Sequence, residues 1–154
     1  MATRSTIALE FADGTVGQVY CHWDGYLDHN GKILLEHYKD PFKVQQLMDL
    51  GDISSLGSDV GEQHSFDNPF PYGSAEYKAE QEARSDITTF YGRDRGEEGT
   101  KAKSFKDFAD YKANHQYEEY EYILRQVNGK AVWFVADHCD RYIELALAMA
   151  VEAA

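Results

Sequence analysis

The sequence predicts an α+β domain: about five mostly antiparallel strands, with helices packed on one face of the sheet. Three observations lead there. Two alternating apolar runs are each folded back by a tight turn, Asp13-Gly14 and Asn128-Gly129, and such dipeptides are the strongest short-range hairpin signals. Between the hairpins lie segments with helical periodicity and recognisable caps. The resulting order, β-β-α-α-(α)-β-α-β-β-α, lacks the regular alternation of a doubly wound parallel sheet. A chain of 154 residues is of single-domain size, so residues 1–154 read as one domain with a loop-rich insertion near 58–74.

Residues 3–11 alternate, with Ile7, Leu9 and Phe11 on one face. Residues 16–23 return, placing Val19, Cys21 and Trp23 on one side and Gln18, Tyr20 and His22 on the other, as the two-residue period of a strand requires. A short helix from Asn30 or Gly31 to Tyr38 turns Ile33 and Leu34 inward, with His37 as a further inward position. Asp40 before Pro41 predicts an N-cap with proline at the first helical position. Phe42, Val44, Leu47 and Met48 form the apolar face of that helix, and Gly51 closes it. Ile53 and Leu56 tuck a turn against the core.

Residues 58–74 gather Gly61, Asn68-Pro69 and Pro71-Tyr72-Gly73 and form the least organised stretch. Residues 75–84 predict an exposed helix. Residues 87–91 read as a strand running into a charged, glycine-rich loop over 92–99. Ser104, with Asp107 three residues on, resembles a capping box opening a helix that buries Phe105, Phe108 and Tyr111. Residues 117–127 and 131–135 form the second hairpin. Asp140 caps a final helix whose Tyr142, Ile143, Leu147, Met149 and Val151 are apolar nearly all round, a pattern that predicts burial in the domain or against a second subunit.

An apolar fraction of 43% furnishes a core at this length without a staple. Cys21 and Cys139 lie too far apart in sequence for a cysteine-based zinc knuckle; buried free thiols are the expectation, a lone disulfide the alternative. The opening residues read as a strand and not as a signal peptide. The longest apolar stretch, 145–151, falls far short of the about 20 residues a membrane span takes, so the cytoplasm is the expected compartment. With 27 acids against 15 bases the formal net charge is −12, which argues against direct binding to nucleic-acid phosphates and favours a basic partner. The charge is unevenly spread. Asp49, Asp52, Asp59, Glu62, Asp67 and Glu76 fall between Lys43 and Lys78 with no base among them, and Glu118, Glu119 and Glu121 form a second group. Solvation alone is the ordinary reading of such runs; docking of a cationic partner is the functional one.

Three further groups bear on chemistry. His22, Trp23, Asp24, Gly25 and Tyr26, with His29 following, sit where a strand end turns. Their spacing matches no standard metal signature, so the expectation is structural: Trp23 in the core, Asp24 setting the turn, Gly25 supplying positive φ. Contact of His22, Asp24 and Tyr26 with a ligand is the alternative. Arg93 and Arg95, flanked by glycines, are the best anion-binding candidates; internal pairing with Asp94, Glu97 and Glu98 competes. Asp137-His138-Cys139 places a His beside a Cys, but neighbouring residues on a strand point apart, which disfavours a nucleophile–base pair. No catalytic residue, metal site or cofactor is assigned.

The blocks Thr3-Arg4-Ser5-x-Ile7, His22-Trp23-Asp24-Gly25-Tyr26, Leu34-Leu35-x-His37-Tyr38, Gly51-Asp52-Ile53-Ser54-Ser55-Leu56 and Tyr91-Gly92-Arg93-Asp94-Arg95-Gly96-Glu97 resemble a family of small proteins common in phages, prophages and plasmids. Leu27 stands where that pattern leads one to expect proline. The resemblance implies a mobile-element setting, in which small acidic proteins include inhibitors of CRISPR effectors and restriction enzymes. Charge and resemblance together suggest a non-enzymatic inhibitor that competes with nucleic acid for a host defence protein's basic surface. Its expected contacts are Asp49, Asp52, Asp59, Glu62 and Asp67, with Glu118, Glu119 and Glu121. The alternatives are a small-ligand or phosphate-binding protein or enzyme using the loops at 22–26 and 92–96, and an oligomeric regulatory module, a homodimer through the C-terminal helix.

Overall fold

The computed structural model of the chain describes residues 2–136 and 141–153. The triplet Asp137-His138-Cys139 and the cap assigned to Asp140 lie outside the described residues. The first hairpin forms as its sequence predicts: β1 (Ser5–Glu10) and β2 (Val16–Cys21) pair antiparallel with Ile7 opposite Val19. Its turn is closed by the Asp13 carboxylate, which accepts the Thr15 amide at 2.9 Å and hydroxyl at 2.6 Å, while Gly14 takes φ 90°. The second hairpin joins β6 (Tyr120–Val127) to β7 (Lys130–Ala136) through Asn128 and Gly129, both at positive φ, as a type I′ turn demands.

The two hairpins merge because β1 runs parallel to β6, Ile7 opposite Tyr122. On the far side of β2 lie β3 (Ile53–Ser55) and then β4 (Thr89–Phe90); β5 (Lys103–Phe105) pairs with the other half of β2, and β8 (Tyr142–Glu144) pairs with β7. The order is β4-β3-β2-β1-β6-β7-β8, with β5 beside β2. The β1–β6 and β2–β3 pairings are parallel and the others antiparallel. The fold is thus α+β, with more strands than the five expected.

The additional strands explain several corrections. Ile53 belongs to a strand instead of a turn, and Ser104 lies within β5 instead of capping a helix. The helix cap is Asp107, whose side chain accepts the Asp110 amide at 2.8 Å and opens α5 (Phe108–Asn114). Tyr142 and Ile143 lie in β8, ahead of the final helix.

Helices α1 (Lys32–His37), α2 (Pro41–Leu50) and α6 (Leu145–Ala153) cover one face of the sheet. There Ile7, Leu9, Val19, Tyr122 and Trp133 meet Leu34, Tyr38, Val44, Leu47 and Leu145. One short helix, α5 (Phe108–Asn114), covers part of the opposite face, packing Tyr111 against Ala8, Val16, Phe105 and Ile123. Asp40 caps α2 as predicted, accepting the Phe42 amide at 3.0 Å. Phe42 itself is 78% exposed, because it lies about 200° around the helix from Val44. His37 is exposed, and the next residue, Tyr38, is the buried one; its hydroxyl donates to the Gly57 carbonyl at 2.7 Å and its own carbonyl accepts the Trp133 indole N–H at 2.9 Å. In α6 only one side is inward: Leu145 and Ala148 are buried, Leu147 and Val151 exposed. Uniform apolarity did not mean burial.

Candidate functional site

Two concavities flank the long loop over 58–74, and one of them is shaped by what happens at the end of β2. There the chain continues along β3: the His22 amide donates to the Ile53 carbonyl and the Trp23 amide to the Ser54 carbonyl, each at 3.0 Å. Asp24, not Gly25, takes the left-handed conformation, at φ 56°. Glycine is needed at 25 for another reason: a Cβ there would lie 2.7 Å from the Ser5 Cβ. The loop is tied by buried Asn30, whose Nδ2 reaches the Trp23 carbonyl at 3.2 Å, the Ser5 hydroxyl at 3.3 Å and the Cys21 sulfur at 3.3 Å. Its Oδ1 faces His29 Nδ1 at 2.9 Å. That oxygen only accepts, so His29 carries a proton on Nδ1. The Tyr122 hydroxyl donates to the Gly25 carbonyl at 2.6 Å. Held in this way, Trp23 is left 44% exposed, not in the core.

The long loop is pinned at its other end by charged side chains. Lys43 Nζ donates to the His37 carbonyl at 2.7 Å and the Ser58 carbonyl at 2.6 Å. The Thr88 hydroxyl bonds the Gly57 amide at 3.0 Å and the Asp59 carbonyl at 2.9 Å. Asp94, its side chain fully buried, accepts the His64 amide at 3.0 Å and the Phe90 amide at 2.8 Å. Burial pushes its carboxyl pKa up, but hydrogen bonds from Arg93 and these two amides outweigh that and hold it below the ordinary value.

Arg93 has no N–H left for an anion. Its Nε and Nη2 bond Asp94 at 3.0 and 3.2 Å, and the remaining donors reach the carbonyls of Val60, Gly61 and Thr88 at 3.1, 2.8 and 2.8 Å. The backbone over Tyr91–Arg95 is a helical turn, α4, where a loop was expected. Arg95 pairs with Glu97 at 3.6 Å and lies over the Phe66 ring. The anion clamp inferred from the glycine spacing is therefore an internal ion-pair arrangement.

The first concavity is an open depression of about 880 Å³ where α2 meets the loop, lined by Asp49, Asp59 and Glu62 together with Lys43, Gln46 and Arg93. The second is a cleft of about 510 Å³ between the turn at 22–26 with the helical turn Leu27–Gly31 that follows it, β3, the loop at 66–68 and α3 (Ala75–Ala83). Its lining includes Trp23, Asp24 and His29 from the first wall, and Phe66, Asp67 and Tyr77 from the other wall.

The expected acidic contacts are thus divided. Asp49, Asp59 and Glu62 converge on the depression and Asp67 lines the cleft instead. Asp52 is half-buried and accepts the Tyr20 amide at 3.0 Å; burial pushes its pKa up. Glu121 is 3% exposed, 3.3 Å from His115 Nδ1 on the α5 side of the sheet, so it belongs to no acidic surface. Glu118 bonds the Gln116 side chain at 2.8 Å and Glu119 is exposed. Nor do the ligand candidates converge. Asp24 lines the cleft, Arg93 the depression, and His22, Tyr26 and Arg95 line neither; His22 Nδ1 instead lies 2.6 Å from the Tyr20 hydroxyl. Among the described residues no three His, Cys, Asp or Glu side chains are grouped to hold a metal, and no helix is long and apolar enough to cross a membrane.

Sequence reasoning missed Phe66, Asn68 and Tyr77 as wall residues. Asn68-Pro69 carried only a turn signal, whereas the Asn68 side chain fastens the wall, donating to the Tyr77 carbonyl at 2.9 Å and accepting the Phe70 amide at 3.1 Å. No family model, curated protein or solved structure matches this chain.

Proposed function

We propose that the protein is a non-enzymatic binding protein that docks a cationic partner on its acidic face. More particularly, it acts as an inhibitor of a host defence protein of CRISPR-effector or restriction type, occupying a basic surface that would otherwise hold nucleic acid. The observation that carries this reading is the depression lined by Asp49, Asp59 and Glu62, none of which has an ion-pair partner among the described residues. Of the two cations beside them, Arg93 is neutralised by Asp94 and Lys43 is anchored to carbonyls. Carboxylates left unpaired around a concave surface raise the local concentration of positively charged groups and speed their encounter. The mobile-element resemblance of the sequence supplies the class of partner.

The test is affinity capture from a host lysate, followed by binding of the purified partner. Binding should weaken steeply between about 50 and 300 mM salt. It should fall at least tenfold in Asp49→Asn/Asp59→Asn/Glu62→Gln, and nucleic acid should compete with it. A partner that binds the triple variant as tightly as the parent overturns the reading.

The oligomeric reading is favoured by a different observation. Ile143, Leu147 and Val151 are 42%, 57% and 68% exposed, and Ile143 and Val151 border an apolar groove of about 400 Å³. Light scattering at micromolar concentration should then report a dimer that Val151→Glu separates; a monomer removes this reading.

A further inference from the structure

The geometry points to the cleft beside Trp23 as a binding site for a guanidinium group carried on an apolar stem. Aromatic rings and carboxylates stand together in its lining. Trp23, Phe66 and Tyr77 line it with Asp24 and Asp67, and aromatic faces beside carboxylates attract a planar cation through both stacking and charge-assisted hydrogen bonds. His29 lines the same wall, with its Nδ1 turned away to Asn30. Neither Asp24 nor Asp67 has an ion-pair partner among the described residues.

Arg84, the cation among the described lining residues, already has a counter-charge. Its Nε faces Glu80 at 3.7 Å, and its Nη1 bonds the Ser65 carbonyl and His64 Nδ1. It is held in the wall. The cleft is also built before any ligand arrives: the Trp23 amide is fixed to Ser54, the Asp24 carbonyl accepts the Asn30 amide at 3.2 Å, and Asn68 fastens the opposite side. Preorganisation of this kind lowers the ordering cost of binding. The site is separate from the acidic depression and stands without the docking proposal.

A guanidinium of this description reaches the cleft as a free small molecule or as an arginine side chain of a protein. Titration of the full chain with agmatine and with a capped Gly-Arg-Gly peptide distinguishes the two, followed by fluorescence, for which Trp23 is the exposed indole and Trp133 the buried one. Saturable change with agmatine alone assigns a free ligand; change with both assigns an arginine-bearing partner. The uncharged urea counterpart of whichever ligand binds, the capped Gly-citrulline-Gly peptide or N-carbamoylputrescine, should bind at least about tenfold more weakly. Asp24→Asn and Asp67→Asn should each weaken agmatine by a similar factor, and Trp23→Phe should retain binding read by calorimetry while losing the optical signal. No saturation by either guanidinium at millimolar concentration, equal binding of the urea counterpart, or full affinity in Asp24→Asn/Asp67→Asn overturns the proposal.

Discussion

At the scale of single residues, the decisive feature is which charges are already satisfied. Arg93 and Asp94 stand one after the other in a motif that reads as an anion clamp, yet folding closes them on each other and on three carbonyls. Asp94→Ala should cost about 3–5 kcal/mol in denaturant unfolding, because it leaves a largely buried guanidinium without its counter-charge. Since Asp94 is held below its ordinary value of 3.8, its contribution is complete above that value and is lost as pH falls through the lower, folded-state pKa. Asp52 has the opposite sign. Its carboxyl is pushed up mainly by burial, so the fold favours the neutral form and loses stability as pH rises through the carboxylate range. Asp52→Asn keeps an oxygen for the Tyr20 amide and should melt slightly higher than the parent at pH 7, by less than about 1 kcal/mol, with the gap closing in acid. Cys21, fully buried with its thiol pushed up to about 11, should resist alkylation near about pH 8 until the protein is unfolded, as mass mapping of labelled peptides will show.

At the scale of elements, legibility followed the range of the interactions. The two hairpins were readable because Asp13-Gly14 and Asn128-Gly129 encode their turns locally. The strands β3, β5 and β8 were not, since three residues carry no period, and β3 and β5 owe their existence to partners far away in sequence. Glu121 shows the same limit. Composition grouped it with Glu118 and Glu119, but only the packing of α5 and His115 makes its side of the sheet an interior. Among the candidate sites, the acidic run was visible as composition, but the separation of Asp49, Asp59 and Glu62 from Asp67 depends on a loop path that no local signal specifies. That path is set in part by Thr88. Thr88→Val removes the hydroxyl that serves the Gly57 amide and the Asp59 carbonyl. It should cost about 1–3 kcal/mol and speed amide exchange at 57–59 well before global unfolding.

At the scale of the whole molecule, a net charge of −12 means the folded state works against its own repulsion. The melting temperature should therefore rise as salt increases from about 10 to 150 mM, while any complex formed through the acidic depression weakens over the same interval. The two opposed responses in one titration separate the effect of salt on the fold from its effect on docking. The path of the chain between Gly57 and Asn68 has a consequence at this scale. A single span of backbone is the partition between two basins, with Asp59 and Glu62 bordering one and Phe66 and Asp67 the other. A guest that pushes on such a partition from one compartment alters the room available in its neighbour, and equilibrium thermodynamics makes that influence mutual: whatever factor the first occupant imposes on the second, the second returns to the first.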